Sequence, residues 1–193
     1  MAKRTVSALI LLAIAMPALL LGGIPFVVVI GFFIVSSSWE YVQMFRAAKS
    51  EPSAWIVVGG TILLLFARTL KYDFWGLELN GLIPLADEIT ELTLACLVLI
   101  AMAFHLFAYE RGRDQAALDF AVTVGGFIYL GWIGAYLIDL RNLPNGGWWL
   151  MLVLPAVWLA DTGAYVLGAK YGKHKMTPRL SPKKSWEGYF AGV

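Results

Sequence analysis

The sequence predicts an all-α fold, a polytopic transmembrane helix bundle of six spans with the start of a seventh. Two observations carry this. The chain is 60% hydrophobic and 15% charged, with a mean hydropathy of +0.72, whereas soluble domains hold about 45–50% apolar and about 25% charged residues. The apolar residues are also gathered into runs close to the roughly 20 that a helix needs to cross a bilayer, without the period-2 alternation of barrel strands. Hydrocarbon offers backbone N–H and C=O groups no outside partner, so helices follow. A chain of 193 residues has room for six or seven spans and little else, so residues 1–193 read as a single membrane-embedded domain.

The first run, Val6 to Leu21, follows Lys3-Arg4 and contains Ala13-Ile14-Ala15, which has the form of a signal-peptide cleavage motif. A second apolar run, Ile24 to Phe45, starts directly behind it, so the first is read as an uncleaved span. The third run, Ala54 to Leu70, is interrupted by Gly59-Gly60 and cut short by Arg68, which predicts a tilted or partly interfacial segment. The connection from Lys71 to Glu91 is the longest outside the membrane. Its Asn80-Gly81 is a turn signal, and Asp87, Glu88 and Glu91 read as a solvated acidic loop. The remaining runs are Leu92 to Tyr109, Ala116 to Ile138 and Trp148 to Ala169, the last opened by an interfacial Trp148-Trp149 pair.

Lys and Arg divide unequally between the two ends of these spans. Lys3, Arg4, Arg46, Lys49, Arg111, Arg113, Lys170, Lys173, Lys175, Arg179, Lys183 and Lys184 fall on one side, and only Arg68, Lys71 and Arg141 on the other. Positive charge is retained in the cytoplasm, so the N-terminus and the basic segment after the sixth run are expected there, in a cell inner membrane. A net charge of +2 gives no reason to expect nucleic acid. Cys96 is the single cysteine and lies within an apolar run, so neither a disulfide framework nor a cysteine metal site is available.

Asp161 is the main ionisable residue inside a span. It precedes Lys170 by nine positions, roughly 13 Å along a helix, too far for an Asp side chain to reach the boundary. A carboxylate at that depth must be paired, hydrated or bound to a cation, which makes it a functional candidate. A hydrogen-bonded helix contact is the plainer reading, and unwinding near Gly163 would lessen the burial. Ala160, Ala164, Gly168 and Gly172 recur every four residues, a small-residue face that lets another helix come close. His105 reads as structural, Glu40 as an interfacial carboxylate, and Asp119 as an acid at a helix N-terminus.

Behind the sixth run, Lys170 to Gly188 carries six cations among hydroxyls, and Gly172, Pro178 and Pro182 prevent one continuous helix. On charge alone this is a topology anchor or a contact for anionic lipid head groups. The cluster Ser181, Lys183, Lys184 and Ser185, placed just before the next apolar segment, equally suits a polyanion. Lysines neutralise phosphate charge, while hydroxyls and free N–H groups at a helix start donate to phosphate oxygens.

Asp161-Thr-Gly-Ala-Tyr165, then Gly172-Lys-His-Lys175, then Ser181-Pro-Lys-Lys-Ser-Trp-Glu-Gly188 resemble the central motif region of the phosphatidate cytidylyltransferase family in letters, order and spacing. The upstream helices are similar to the family in pattern only. The resemblance implies that phosphatidate attacks the α-phosphorus of CTP, giving CDP-diacylglycerol and pyrophosphate with the help of Mg2+. Carried over by position, Asp161 would be an active-site carboxylate close to metal or nucleotide. Ser181, Lys183, Lys184, Ser185 and Glu187 would line the CTP phosphate site. Ser185 stands where the family more often has Thr and keeps the hydroxyl.

The partners implied are CTP, phosphatidate and membrane lipids, with a homo-oligomer left open. The family's second motif, a Ser-x-x-Lys-Arg run leading to a Lys-Asp pair with metal-binding acids, has no counterpart before Val193. The expectation is therefore a family member truncated at its C-terminus and inactive by itself. Two other readings remain. A transporter or channel subunit would line a polar path with Asp161, His105 and Glu40, and a non-catalytic scaffold would use the basic segment to grip anionic lipid.

Overall fold

The computed structural model describes residues 13–72, 83–178 and 181–192. They are almost entirely helical and form two compact units, Met1–Pro144 and Asn145–Val193. Among the described residues four helices are long and apolar enough to cross a membrane, Gly23–Ala47, Ile83–Glu110, Ala116–Asn142 and Gly146–Tyr171, with a shorter apolar helix at Ala54–Thr69. The first run and the Asn80-Gly81 turn fall wholly or partly outside the described residues.

In the first unit, the described part of α1 covers residues 13–21 and α2 covers Gly23–Ala47. Between them Gly22 and Gly23 take φ values of 67° and 54°, a left-handed conformation that side chains with a Cβ adopt at a cost. Arg141 closes this junction: its Nε donates to the Leu19 carbonyl at 2.7 Å and its Nη2 to Leu20 at 3.0 Å. Carbonyls at a helix C-terminus otherwise lack donors.

Helix α3, Ala54–Thr69, runs unbroken through Gly59-Gly60. Gly60 serves packing instead of interruption, for a Cβ there would stand 3.2 Å from the Leu97 side chain and 3.4 Å from Phe127. At 16 residues α3 is roughly 24 Å long, short of the ~30 Å hydrocarbon core. Arg68 at its end is nonetheless buried, at 5% exposure. Its Nη1 lies 3.2 Å from Asp139 and 3.5 Å from Asp87, and its guanidinium sits over the Tyr136 ring.

The acidic stretch expected in a loop belongs largely to a helix. A short 3-10 turn, Ile83–Leu85, leads into α4, Ala86–Glu110, whose first turn holds Asp87 and Glu88. An acid there is favoured by the helix dipole, and Asp87 also pairs with Lys71 at 3.0 Å. Tyr72 donates to Asp139 at 2.8 Å. Burial first, and this bond second, push its phenol well above the usual value.

The fifth run is one helical rod made of α5, Ala116–Gly126, a π-helical segment, Phe127–Ile133, and α6, Gly134–Asn142. Gly131 in the π segment lets α3 come close, since a Cβ there would be 3.0 Å from the Thr61 Cα. The packing has two apolar centres: Val27, Ile34, Leu65, Ala135 and Ile138 form one, and Leu64, Leu97, Ala101 and Phe127 the other. Between helices in lipid such contacts act through close packing, not through exclusion of water.

The second unit is built on α7, Gly146–Tyr171. It starts behind a left-handed Asn145 and contains Pro155, which a membrane helix tolerates better than a soluble one. Two short strands follow, β1 (Lys175–Thr177) and β2 (Ser181–Ser185), paired antiparallel with Lys175 opposite Ser185 and Thr177 opposite Ser181. Helix α8, Trp186–Gly192, then lies back on α7. The contact is nearly backbone to backbone: a Cβ on Gly188 would be 2.7 Å from the Ala164 carbonyl oxygen, and one on Gly192 2.6 Å from that of Ala160. The small-residue face of α7 meets a second glycine face on α8.

Candidate functional site

A recess of about 990 Å³ opens within the second unit, between α7, the strand pair and α8. Helix α7 contributes the face bearing Asp161, Ala164, Tyr165 and Gly168; the strands contribute Lys175, Met176, Ser181, Lys183 and Lys184; Ser185, Gly188 and Tyr189 close the α8 side. Its size follows from the residues around it. Small side chains on α7 and α8 let the two backbones touch along one line, and the strand pair is left to stand over the groove beside them.

The strand pair was not foreseen in the sequence. Pro178 and Pro182 restrict φ and remove N–H donors, and Pro is confined to positions that make no ladder bond. Short strands accommodate both, β1 ending just before Pro178 and β2 starting just before Pro182. The pairing has a chemical consequence, because it brings Lys175 to the same wall as Lys183 and Lys184. Lys175, Lys183, Lys184 and Ser181 thus border one recess together with Asp161.

Five of the six residues singled out in the sequence therefore meet at one place: Asp161, Ser181, Lys183, Lys184 and Ser185. Asp161 is exposed within the fold, opening on the recess without being enclosed by protein. Ser185 is buried, at 4% exposure. Its Oγ accepts the Gly188 N–H at 3.3 Å, the bond of a serine capping a helix start, so a helix cap and a recess wall are the same side chain.

Glu187 stands apart from these five. Its carboxylate accepts the Lys173 N–H at 3.2 Å and the His174 N–H at 3.2 and 3.3 Å, and lies 2.6 Å from the His174 Nδ1. The bond from its own backbone N–H, then that from the His174 ring, hold its acid at about 2, below the ordinary 4.5.

Lys175, Tyr165 and Tyr189 are lining residues that the sequence reading did not single out. Tyr165 had a legible signal: it lies four residues beyond Asp161, hence on the same helix face. Tyr189 stands in the same relation to Ser185. Lys175 ends the Gly172-Lys-His-Lys175 stretch, but its place beside β2 depends on the strand register.

Among the described residues no group of three or more His, Cys, Asp and Glu is placed to hold a metal ion. Mg2+, however, is typically bound by one or two carboxylates together with substrate phosphates. Asp161 beside a cationic wall fits that mode and does not fit an all-protein cage.

The other polar residues weighed in the sequence belong to the first unit. Asp119 is buried at 1% exposure; it pairs with Arg113 Nε at 2.7 Å and accepts from the Ser50 hydroxyl and the Glu51 N–H, each at 2.7 Å. His105 Nε2 lies 2.9 Å from the Thr123 hydroxyl. Glu40 is exposed.

The chain was compared with known proteins. The model of the cytidylyltransferase family matches residues 2–193. Among curated relatives, a phosphatidate cytidylyltransferase of Pseudomonas aeruginosa is 31% identical over 193 residues, covering 99% of this chain and 66% of the relative. Proteins of the same name from a Synechocystis species and from Staphylococcus epidermidis are 28% and 27% identical, covering 99% and 100% of this chain and 68% of each relative. The chain thus spans about two thirds of the length of these relatives. No solved structure matches it.

Proposed function

The chain belongs to the cytidylyltransferase family, and from that premise we propose that it carries the nucleotide-binding face of a phosphatidate cytidylyltransferase, which joins CTP and phosphatidate into CDP-diacylglycerol and releases pyrophosphate. The observation that carries this is the convergence of Lys175, Lys183, Lys184 and the Ser181 hydroxyl with Asp161 on one recess. A triphosphate needs several cations and donors at once, and transfer at phosphorus is catalysed mainly by positioning and charge neutralisation.

In this reading a phosphatidate phosphate oxygen forms the new bond to the α-phosphorus of CTP while the bond from that phosphorus to the β-bridging oxygen breaks, and pyrophosphate leaves with the electron pair. Lys183 and Lys184 on β2, with Lys175 beside them on β1, offset the charge of the phosphates, and the Ser181 hydroxyl donates to a phosphate oxygen. Asp161 together with nucleotide phosphates would hold Mg2+, which when bound supplies further neutralisation of the leaving group.

The compartment belongs to the same proposal: a bacterial inner membrane, with the N-terminus and the 170–184 segment cytoplasmic, where CTP is available. The Lys and Arg asymmetry supports it. So does the first unit, in which Arg113 Nη2 donates to the Lys49 carbonyl at 3.3 Å. The two basic connections of that unit share one end.

CTP affinity of the 193-residue chain in lipid nanodiscs, with and without Mg2+, tests the assignment. Lys183→Ala combined with Lys184→Ala is expected to weaken binding by about tenfold or more, the scale of one or two charge-assisted bonds. Asp161→Asn is expected to abolish the part of the affinity that Mg2+ adds and that EDTA removes. Unchanged affinity in the double lysine variant would reduce the basic segment to a topology anchor.

A further inference from the structure

We infer that Glu187 and His174 form a positioning pair, which fixes the turn between α7 and the strand pair and thereby places the recess lysines without touching the ligand.

The geometry closes a ring. The Trp186 N–H donates to the His174 carbonyl at 3.0 Å, while the next side chain, Glu187, takes the N–H groups of Lys173 and His174 and the His174 ring. Residues 173–174 and 186–187 are therefore tied at backbone and side chain, and everything between them, including both strands, is a loop held at its base. Lys175 follows this base by one residue, and Lys183 and Lys184 precede it by three and two.

Charge argues in the same direction. A carboxylate facing the recess would repel a polyanion, and removing it should then improve binding. Here the carboxylate is turned onto two N–H groups and an imidazole. An ionised carboxylate only accepts, so His174 Nδ1 carries the proton, and the side chain opposite Glu187 must be a donor at that place. His174 is 80% exposed at its side chain, so the bond does not serve to satisfy a buried group. Its remaining effect is to orient the backbone.

The consequence for ligand rests on the nucleotide-binding reading above; the geometry does not. The test accordingly has two readouts on the whole chain in nanodiscs. Without ligand, amide hydrogen exchange at Lys173 and His174 should rise about tenfold in Glu187→Ala and several-fold in His174→Ala. It should return close to wild type in His174→Asn, whose side-chain amide offers a donor where Nδ1 stood. With CTP as probe, Glu187→Ala should weaken binding about three- to tenfold. In a Lys183→Ala, Lys184→Ala background the same change should add nothing.

Unaltered exchange in Glu187→Ala overturns the positioning role, as does tighter CTP binding in that variant, which would return Glu187 to the recess wall. Raised exchange in a chain that does not bind CTP at all upholds the pair and refutes the nucleotide assignment instead, so the two failures are separable.

Discussion

Asp119 and Glu187 show what single acids do in this chain. Asp119 stands at a helix start, where the dipole alone would explain it, yet its carboxylate also gathers Arg113, Ser50 and the Glu51 N–H. Replacing it by Ala leaves these donors without their acceptor. The expected loss is about 2–4 kcal/mol in detergent unfolding, with Asp119→Asn costing less because it keeps an acceptor. The neighbouring network fixes a tautomer as well. Thr123 Oγ1 spends its one proton on the Asp119 carbonyl at 2.8 Å and receives the Ser53 N–H at 3.1 Å, so His105 must donate to it through Nε2. Glu187 makes a prediction in pH. Its folded value of about 2 lies below the ordinary 4.5, so its contribution to loop order is complete above roughly pH 4.5 and fades as pH falls through about 2. The carboxyl carbon shift of Glu187, followed by NMR, should titrate near the lower value; a midpoint near 4.5 would mean that the His174 contact is absent in solution.

At the scale of the element, two glycines show how differently the same residue is used in a helix. Gly188 of α8 meets the Ala164 carbonyl and the Gly168 Cα, both backbone atoms that cannot turn aside. Gly188→Ala should therefore push α8 off α7, costing about 1–3 kcal/mol and raising hydrogen exchange across Trp186–Gly192. Gly59 on α3 has nothing within 4 Å of a would-be Cβ. Gly59→Ala is the control, expected to be neutral or to stabilise by up to about 1 kcal/mol through helix propensity. Gly59 sits in an apolar run and Gly188 directly behind Glu187, and neither local sequence says how near another backbone lies. Only the neighbouring helix distinguishes them.

At the scale of the whole molecule, the proposed orientation makes a labelling prediction. In a Cys96→Ser background, Lys71→Cys should react with a membrane-impermeant maleimide in intact cells, and Lys49→Cys only after the cells are opened. The reverse pattern would invert the topology and place the basic strands away from cytosolic nucleotide. That this is a helical membrane protein was determined by the sequence itself, because hydropathy is a local sum and a span needs only enough of it in one stretch. The motif from Asp161 to Gly188 was legible for a related reason, as its residues are close in the chain and its family resemblance lies in short spacings. What the tertiary structure decided is which polar groups meet: Arg68 with Asp139, Arg141 with the end of α1, Lys175 with the recess, and Glu187 with the loop base. Such pairings depend on where distant backbone segments come to rest, and a charge in a sequence carries no record of the partner that will neutralise it.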